Sequence, residues 1–428
     1  MADPPSGPID IVVIGLDEEN LPLLEDLPEP AYRFHGVFEP DDLIGVEELD
    51  FEAVLTEAEK RIAALDVDVD AIVGYWDFPV TSMVSILCAR RGLPGASLAA
   101  VARCEHKYWS RLEQSKVVDD LPAFAIMDLD ADRLPEGMEF PVWVKPVKSV
   151  SSALAFHVDD QAELTDAMAE IREGADAMGE PFQHVLDRVD LPPEIAEIGG
   201  TAALVEESVS GRQVTVEGYE YAGDVRVHGI IDSVTYPDSP SFLRYQYPSS
   251  LPGQVQERLA ASAKSVIAQL GLTGSAFNIE YFWNPETDRL AVLEVNPRHS
   301  QSHAWIFEQV DGLANHQVMV RLGLGRNPEL PHRQGAYPVA AKCFVRSFVD
   351  GVVTRAPSAE EVARIEAEHE RVHVQLVAGR GQRLADLRQQ DSYSYELARV
   401  YAAARDEDAL VATYDEVVAQ LGYEVEER

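Results

Sequence analysis

A hairpin close to residue 285 constrains this chain more than any other feature, because it predicts three oxygen ligands on one face of a sheet. Residues 277–283 and 290–295 have the apolar or alternating pattern of strands, and the turn sequence Asn-Pro-Glu-Thr-Asp separates them. Glu294 and Asn296 are two positions apart, so their side chains leave the same face of the second strand. The hairpin can bring Glu280 beside them. Mg²⁺ prefers such oxygen ligands and keeps further positions for water and phosphate.

Charged residues also follow or end strand-like segments elsewhere in the chain. Residues 140–146 are apolar except for Lys145, and residues 204–211 carry two glutamates before a turn. Arg298 follows the hairpin by two positions, and its guanidinium could donate two hydrogen bonds to a phosphoryl group. Taken alone, the hairpin carboxylates are as easily explained as ordinary solvent-facing strand residues. The order of all these segments is therefore the stronger evidence for a site.

This ordered set of motifs resembles the ATP-grasp superfamily over roughly residues 100–325. In that family two α+β subdomains clamp ATP, and a carboxylate becomes an acyl phosphate before a nucleophile attacks it. The resemblance implies a fold of mixed α/β and α+β class, with an N-terminal α/β pre-domain, a two-subdomain nucleotide clamp and a small C-terminal closing subdomain. It also implies that ATP and Mg²⁺ (or Mn²⁺) are the cofactors.

The resemblance assigns roles residue by residue. The nucleotide would be bound by Lys107, Lys145, Ser151, Ser152, Glu206, Glu207, Val209 and Gln213. The metal ligands would be Glu280, Glu294 and Asn296, and Arg298 would be the catalytic residue, in an Asn-Pro-Arg motif seen in biotin-carboxylase-like members. Two departures predict a lower nucleotide affinity. The loop after Lys145 lacks the usual glycines, so serine hydroxyls would share in binding phosphate, and Gln213 stands where the family often has a glutamate.

The chain divides into four predicted units: the pre-domain (1–105), the first clamp subdomain (106–200), the second clamp subdomain with the metal site (201–330) and the closing subdomain (331–428). Apolar spacing and capping residues predict helices over 51–65, 98–112, 162–177, 252–270, 358–370, 393–404 and 409–421. Residues 9–15 and 71–74 are predicted strands of a parallel sheet. Residues 179–200 are acidic and contain prolines, which predicts an irregular segment.

Substrate residues are harder to predict from one sequence. His299 and His303 follow the Asn-Pro-Arg motif, so chain continuity alone brings them near the transferred phosphate. Each could contact a ligand, relay a proton or cap the following helix. Arg244, flanked by aromatic residues, could bind a substrate carboxylate or could be an exposed loop arginine. These three residues are the substrate candidates.

Composition limits the partners and the compartment. The formal charge of −39 argues against binding to nucleic acid or to an anionic membrane, because both attract clustered basic residues. Only seven of the 35 basic residues are lysines, and such a surface suggests either a salt-rich cytoplasm that screens self-repulsion or simply an acidic mesophilic protein. The three cysteines lack paired spacing, and no segment approaches the length of a membrane span. A cytoplasmic protein is therefore expected.

The leading prediction is an ATP-dependent ligase that activates a carboxylate as an acyl phosphate for attack by an amine. ADP and phosphate would be released, and the product would be an amino-acid derivative or peptide-like. Positioning and charge neutralisation supply most of such chemistry, so no protein nucleophile is needed. Two alternatives remain: biotin-carboxylase-like activation of bicarbonate, and a non-catalytic ATP-binding module. The expected partners are small carboxylate and amine substrates, and a homodimer is a family expectation.

Overall fold

The computed structural model describes residues 7–29, 32–46, 49–149, 154–387, 390–391 and 393–427, and it begins with an α/β unit. Strands β1 (Ile9–Ile14), β2 (Tyr32–Val37) and β3 (Ala71–Val73) form a parallel sheet in the order β2-β1-β3. Helices α1 (Leu21–Glu25), α2 (Phe51–Ala63) and α3 (Val80–Arg91) connect or follow these strands. Because neighbouring strands are parallel, their carboxyl ends open at one edge of the sheet.

A small antiparallel sheet follows, with strand order β4-β7-β5-β6. Its strands are β4 (Phe124–Met127), β5 (Val142–Pro146), β6 (Phe156–Val158) and β7 (Ala203–Glu207). The helices in this part of the chain are α4 (Leu98–Glu105), α5 (Lys107–Gln114), α6 (Gln161–Gly174), α7 (Asp176–Leu186) and α8 (Pro193–Ile198). Val142, Val144 and Val205 pack against the apolar face of α6. Helix α6 therefore covers one face of this sheet, and this contact buries the apolar face of the amphipathic helix.

The large sheet has the strand order β12-β11-β8-β9-β10-β13-β16-β15, and its neighbouring strands are antiparallel. Its strands are β8 (Arg212–Tyr221), β9 (Asp224–Thr235), β10 (Phe242–Tyr247), β11 (Ala276–Asn284), β12 (Arg289–Asn296), β13 (Val339–Ser347), β15 (Val372–Leu376) and β16 (Tyr395–Ala404). A separate ribbon pairs β14 (Gly351–Arg355) with β17 (Glu424–Glu427). The predicted hairpin of residues 277–295 thus forms one edge of the large sheet.

Helices cover most of one face of the large sheet. Val214, Ile279 and Tyr281 pack in a cluster with residues of α9 (Gly253–Leu270), and residues of α12 (Ala359–Glu368) and α13 (Glu407–Leu421) cover the C-terminal strands. Helices α10 (Ala304–Asp311) and α11 (His316–Gly323) follow the hairpin in the chain, and α10 packs on the opposite face. Among the described residues, no helix is long and apolar enough to cross a membrane.

We call the opposite face the polar face. Cross-strand partners in an antiparallel pair share a face, so the register assigns its members. They include Glu294, Glu280, Gln213, Ser233, Tyr245, Lys342 and Tyr401. The alternation that makes one face apolar for α9 therefore places a row of polar and aromatic side chains on the other face.

The structure corrects two predicted segments. A helix was expected over 393–404, but Tyr395–Ala404 is strand β16, with ladder partners on both sides. These two ladders outweigh the helix propensity of its alanines. Residues 179–200, expected to be irregular, contain most of α7 and all of α8. Phe182, Val185 and Leu186 of α7 are buried against the N-terminal helices, so packing stabilises a helix despite the internal proline.

Sheet membership does not follow the predicted domain boundaries. Strand β7 pairs with β5, so the small sheet extends beyond the boundary expected at residue 200. Strands β13, β16 and β15 continue the large sheet, so the segment expected as a closing subdomain shares a sheet with the second clamp subdomain. The predicted helix over 98–112 is interrupted at His106, whose side chain caps α5 by accepting from the Trp109 backbone N–H at 3.1 Å.

Candidate functional site

Two carboxylates lie directly opposite each other in the hairpin. The register of β11 and β12 pairs Glu280 with Glu294 and Asn278 with Asn296. Cβ atoms of such cross-strand partners lie about 5 Å apart. Burial and the neighbouring charge of Glu294 raise the pKa of Glu280 to about 7. Gln213, predicted to bind the nucleotide, donates from Nε2 to Glu280 Oε2 at 2.9 Å and so lies against the carboxylate pair.

Lys107 reaches the hairpin from the small-sheet side. It is the first residue of α5, and its Nζ donates to Glu294 Oε1. Burial tends to raise the pKa of Glu294, but Lys107 and Lys145 outweigh that effect and lower it. Glu294 therefore stays charged while its partner Glu280 is easily protonated. The site therefore contains one carboxylate that stays charged near neutral pH, Glu294, beside one that titrates there, Glu280.

Lys145, at the end of β5, contacts a different carboxylate. Its Nζ lies 2.6 Å from Glu206 Oε2, and Arg111 Nε donates to the other oxygen at 2.5 Å. All three side chains are at least 90% buried. Burial raises the pKa of Glu206, but Arg111 and Lys145 outweigh it and lower the pKa to about 2. The side chain of Glu206, predicted to bind the nucleotide, is thus held between two cations.

Glu207 and Val209, also predicted to bind the nucleotide, lie where the two sheets meet. Glu207 binds Arg289 of β12 through two contacts of 2.6 and 2.9 Å and accepts from the Ala123 backbone N–H at 3.0 Å. Val209 lies in the connection from β7 to β8, which joins the small sheet to the large sheet. Ser151 and Ser152 lie outside the described residues.

Arg298 is bound by a residue from the N-terminal unit. Its Nε and Nη2 donate to the two carboxylate oxygens of Asp77, each at 2.6 Å. Asp77 follows β3 at the carboxyl edge of the parallel sheet, where ligands of open α/β sheets bind. Burial raises the pKa of Asp77, but Arg298 and Lys148 outweigh it and lower the pKa. The charge of Arg298 is thus held at a fixed place near the carboxylate pair.

The two histidines predicted as substrate residues are buried in hydrogen-bond networks. His299 Nε2 lies 2.9 Å from His316 Nδ1, and His316 Nε2 lies 2.9 Å from Asn20 Oδ1. Burial lowers the pKa of His299 to about 3, so this imidazole is neutral. His303 Nδ1 lies 2.5 Å from Glu217 Oε1, deep under the polar face. The networks hold the loop in one conformation.

Arg244, the third substrate candidate, does not join the site. It binds Glu407 of α13 at 2.8 Å and Gln246 at 2.9 Å. Its ladder partner is Cys343, on the helix-covered face of the large sheet. Because successive side chains of a strand point to opposite faces, Arg244 and its neighbour Tyr245 are on different sides. The structure therefore separates Arg244 from the carboxylate pair.

Three residues near the site were not assigned a role by the sequence. Glu217 is fully buried and accepts from Asn315 Nδ2 at 2.9 Å and from the Ser300 backbone N–H at 3.2 Å. Asp77 contacts Arg298 from the end of β3. Lys148 is buried against Glu105 at 3.3 Å. The scarcity of lysine was a usable signal for Lys148, because a chain with few lysines places three of them around one site.

Within the described ranges, no group of three or more histidine, cysteine, aspartate or glutamate side chains could hold a metal ion. The predicted metal set contains two carboxylates and the amide of Asn296, so it does not depend on a third acid. Magnesium sites with one or two carboxylates take their other ligands from water and phosphate. The donors of this hairpin fit that pattern.

Comparison with known proteins places these features in a family. Residues 138–304 match the family model of the ATP-grasp domain. The carbamoyl phosphate synthase large chain of Rubrobacter xylanophilus is 26% identical over 275 residues, which cover 62% of this chain and 23% of that protein. The chain thus aligns with about a quarter of the length of that relative.

Solved structures share the fold over nearly the whole chain. The L-amino acid ligase of Bacillus licheniformis has 17% sequence identity and a TM-score of 0.73, with 98% of this chain and 99% of that chain covered. The biotin carboxylase of Campylobacter jejuni has 14% identity and a TM-score of 0.62, with coverage of 97% and 92%. At such identities the likeness concerns the fold alone. The domain match thus gives residues 138–304 as an ATP-grasp domain, and the chain shares the fold of these ATP-grasp structures.

Proposed function

We propose that this chain is an ATP-dependent ligase that activates a carboxylate as an acyl phosphate and joins it to an amine through a C–N bond. The observation that carries the proposal is the arrangement around the Glu280–Glu294 pair. Lys107 contacts Glu294, the charge of Lys145 lowers the pKa of Glu294, and the charge of Arg298 opposes the rise in the pKa of Glu280. Three cations from different parts of the fold thus act on the two carboxylates, although Lys145 and Arg298 contact Glu206 and Asp77, and such a set of charges suits a polyphosphate with a divalent cation.

The chemistry follows from this arrangement of charges. An oxygen of the substrate carboxylate attacks the γ-phosphorus of ATP, the bond from phosphorus to ADP breaks, and an acyl phosphate forms. The neutral amine then attacks the acyl carbon, inorganic phosphate leaves with the electron pair of the C–O bond, and the surplus proton of the amine passes to solvent. Lys107 and Lys145 neutralise phosphate oxygens, and Arg298 neutralises charge on the transferred phosphoryl group. Such a reaction depends mainly on positioning.

Mg²⁺ or Mn²⁺ fits the donors of the hairpin. Glu280, Glu294 and the amide oxygen of Asn296 would hold the ion, which would supply charge neutralisation at the phosphates when bound. The register that places Glu280 opposite Glu294, with Asn296 two positions further along the strand, supports this assignment. Arg298, fixed by Asp77, would orient the phosphoryl group independently of the ion.

The first test is release of phosphate and ADP from ATP by the purified protein with Mg²⁺ and paired amino acids and carboxylic acids. The proposal expects release that requires both a carboxylate and an amine, with a new amide detected by mass spectrometry. ATP binding without turnover in any combination would instead indicate a nucleotide-binding module.

The second test replaces one carboxylate of the pair. Glu294→Gln keeps the size of the side chain but removes the charge that would hold the metal, so turnover should fall about 100-fold or more while the fold survives. The matched control is Glu286→Gln, in the exposed turn of the same hairpin, which should keep wild-type turnover. Equal rates for the two variants, with unchanged metal dependence, would assign the hairpin a purely structural role.

A second candidate reaction is the activation of bicarbonate. The Asn296-Pro297-Arg298 motif favours it, because the same motif occurs in the biotin-carboxylase-like branch that the sequence resembles. The same assay separates the two reactions. Phosphate release that depends on bicarbonate and needs no organic carboxylate would select this candidate over the ligase.

A further inference from the structure

Lys148 is a buried lysine that follows β5 and extends into the N-terminal part of the fold. Its side chain is 3% exposed, and Nζ donates to Glu105 Oε2 at 3.3 Å. The other carboxylate oxygen of Glu105 accepts from the hydroxyl of Thr81. Nζ also lies 5.0 Å from the ring centroids of Phe78 and Phe182, a distance typical of cation–π contacts. Residues from three separate segments thus surround one ammonium group.

The backbone next to Lys148 supports the start of α5. The carbonyl oxygen of Val147 accepts from the backbone N–H of Lys107 at 2.9 Å. Lys107 is the first residue of α5, and its side chain donates to Glu294 of the carboxylate pair. Lys145, also proposed to bind phosphate, is three positions before Lys148 on the same segment. A shift of Lys148 would therefore move the backbone that supports both of these lysines.

Lys148 also acts on the residue that holds Arg298. Phe78, whose ring lies beside Lys148 Nζ, is the chain neighbour of Asp77. Asp77 accepts two hydrogen bonds from Arg298. Burial raises the pKa of Asp77, but the charges of Arg298 and Lys148 outweigh this effect and lower it, so Lys148 lies close enough to Asp77 for their charges to interact. The place of Arg298 therefore depends on a segment that Lys148 contacts.

The charges of these two ion pairs cancel, which limits what Lys148 can contribute. Lys148 and Arg298 carry one positive charge each, and their partners Glu105 and Asp77 carry one negative charge each. The two pairs together therefore add no net charge that would attract a phosphate. A buried ion pair is also a weak source of stability, because desolvation offsets much of the attraction between its members. The contribution that remains is the placement of the segments that the pair joins.

We propose that Lys148 is a positioning residue of the phosphate site, and that its ion pair with Glu105 fixes the places of the three cations that would bind phosphate. These cations are Lys107, Lys145 and Arg298. The proposal rests on the function proposed above for these cations. The ammonium group of Lys148 already faces Glu105 and two aromatic rings, so it acts through the segments that it joins. Small displacements of charged groups weaken binding and catalysis strongly, so loss of the ion pair should impair recognition of phosphate.

The test is the affinity for MgATP and for adenosine, measured by calorimetry, with far-UV circular dichroism as the check on folding. Adenosine has the base and ribose of ATP but no phosphate. Lys148→Met alone would leave Glu105 as a buried acid without its cation, so the main variant combines Lys148→Met with Glu105→Gln and keeps the net charge. The matched control is Val185→Ala in α7, which shortens a side chain of the same hydrophobic cluster and removes no charge.

The expected result is that the double variant binds MgATP about 10- to 100-fold more weakly than the wild type, while its affinity for adenosine changes less than about threefold. Val185→Ala should lower the melting temperature and leave both affinities unchanged. If adenosine binds the wild type too weakly to measure, the MgATP affinities of the double variant and of Val185→Ala decide. Should the double variant fail to fold, Glu105→Gln alone, which leaves Lys148 with a neutral partner, is judged by the same criteria.

Three results would overturn the role of Lys148. The first is wild-type affinity for MgATP in the folded double variant. The second is an equal loss of MgATP affinity in Val185→Ala, and the third is an equal loss of affinity for adenosine and MgATP in the double variant. Either of the last two would show a general loss of structure rather than a displaced phosphate site.

The same measurements separate the role of Lys148 from the ligase function. MgATP binding that depends on Lys148, without ATP turnover in any combination of substrates, would retain the positioning role and overturn the ligase. ATP turnover by the wild type, with unchanged MgATP affinity in the double variant, would retain the ligase and overturn the role of Lys148.

Discussion

Replacing Glu206 with glutamine should destabilise the protein strongly, because Glu206 neutralises two buried cations. The carboxylate binds Lys145 and Arg111, and Glu206→Gln leaves both with only a neutral partner. The folded-state pKa of about 2, against an ordinary 4.5, corresponds to roughly 3 kcal/mol, since one pKa unit is worth about 1.4 kcal/mol. Breaking a buried ion pair typically costs about 3–5 kcal/mol. The stabilisation derived from the pKa shift and the typical cost of breaking a buried ion pair are therefore similar in size.

The lowered pKa of Glu206 also predicts how the stability difference between the variant and the wild type changes with pH. Because the folded-state pKa of Glu206 is depressed, its stabilisation is complete above pH 4.5 and is lost as the pH falls toward 2. Urea unfolding at pH 7 should therefore show a loss of about 3 kcal/mol for Glu206→Gln, and the difference from wild type should shrink between pH 4.5 and pH 2. The control is Glu207→Gln, whose carboxylate is 37% exposed and which should cost at most about 1 kcal/mol. Equal losses for the two variants would refute the reasoning.

Two further predictions concern the surface and the arginine of the site. The melting temperature should rise with KCl into the molar range, because salt screens repulsion in a chain with a formal charge of −39; a flat or falling curve in thermal denaturation would contradict this. Arg298→Lys should lower kcat at least about 10-fold with unchanged far-UV circular dichroism, because lysine cannot bind both oxygens of Asp77. Wild-type kcat in this variant would assign Arg298 to structure alone.

The sequence was sufficient to predict those structural features whose geometry depends only on residues close together in the chain. Ser358 and Glu361 form the predicted capping box, with contacts of 3.2 and 2.8 Å between each side chain and the other's backbone N–H. Gly271 ends α9 with a φ of 69°, a left-handed conformation that glycine adopts without strain. The hairpin pairs Glu280 with Glu294 as alternation predicts. Each of these features depends on residues close together in the chain.

Predictions failed where a distant segment decides the outcome. Residues 395–404 carry several alanines and suit a helix by propensity, but two neighbouring strands recruit them into the large sheet. His299 and His303 are substrate candidates by chain position, and the structure adds that His316 and Glu217 contact them inside the protein; their role toward a substrate stays a prediction. Neither partner could be identified from the local pattern. The roles proposed for the site residues remain predictions for the same reason, since they depend on molecules bound between the sheets.

The sequence by itself predicted the ATP-grasp domain and which side chains of the hairpin share a face, because side-chain alternation in a strand is a local property with a fixed period of two. Only the tertiary structure decided which charges meet. Lys107 and Glu294 are 187 positions apart, and Asp77 and Arg298 are 221 positions apart. These contacts form because packing brings the N-terminal unit, the small sheet and the large sheet to a common edge. An ion pair needs its atoms within about 4 Å, so the chain pattern alone cannot specify it.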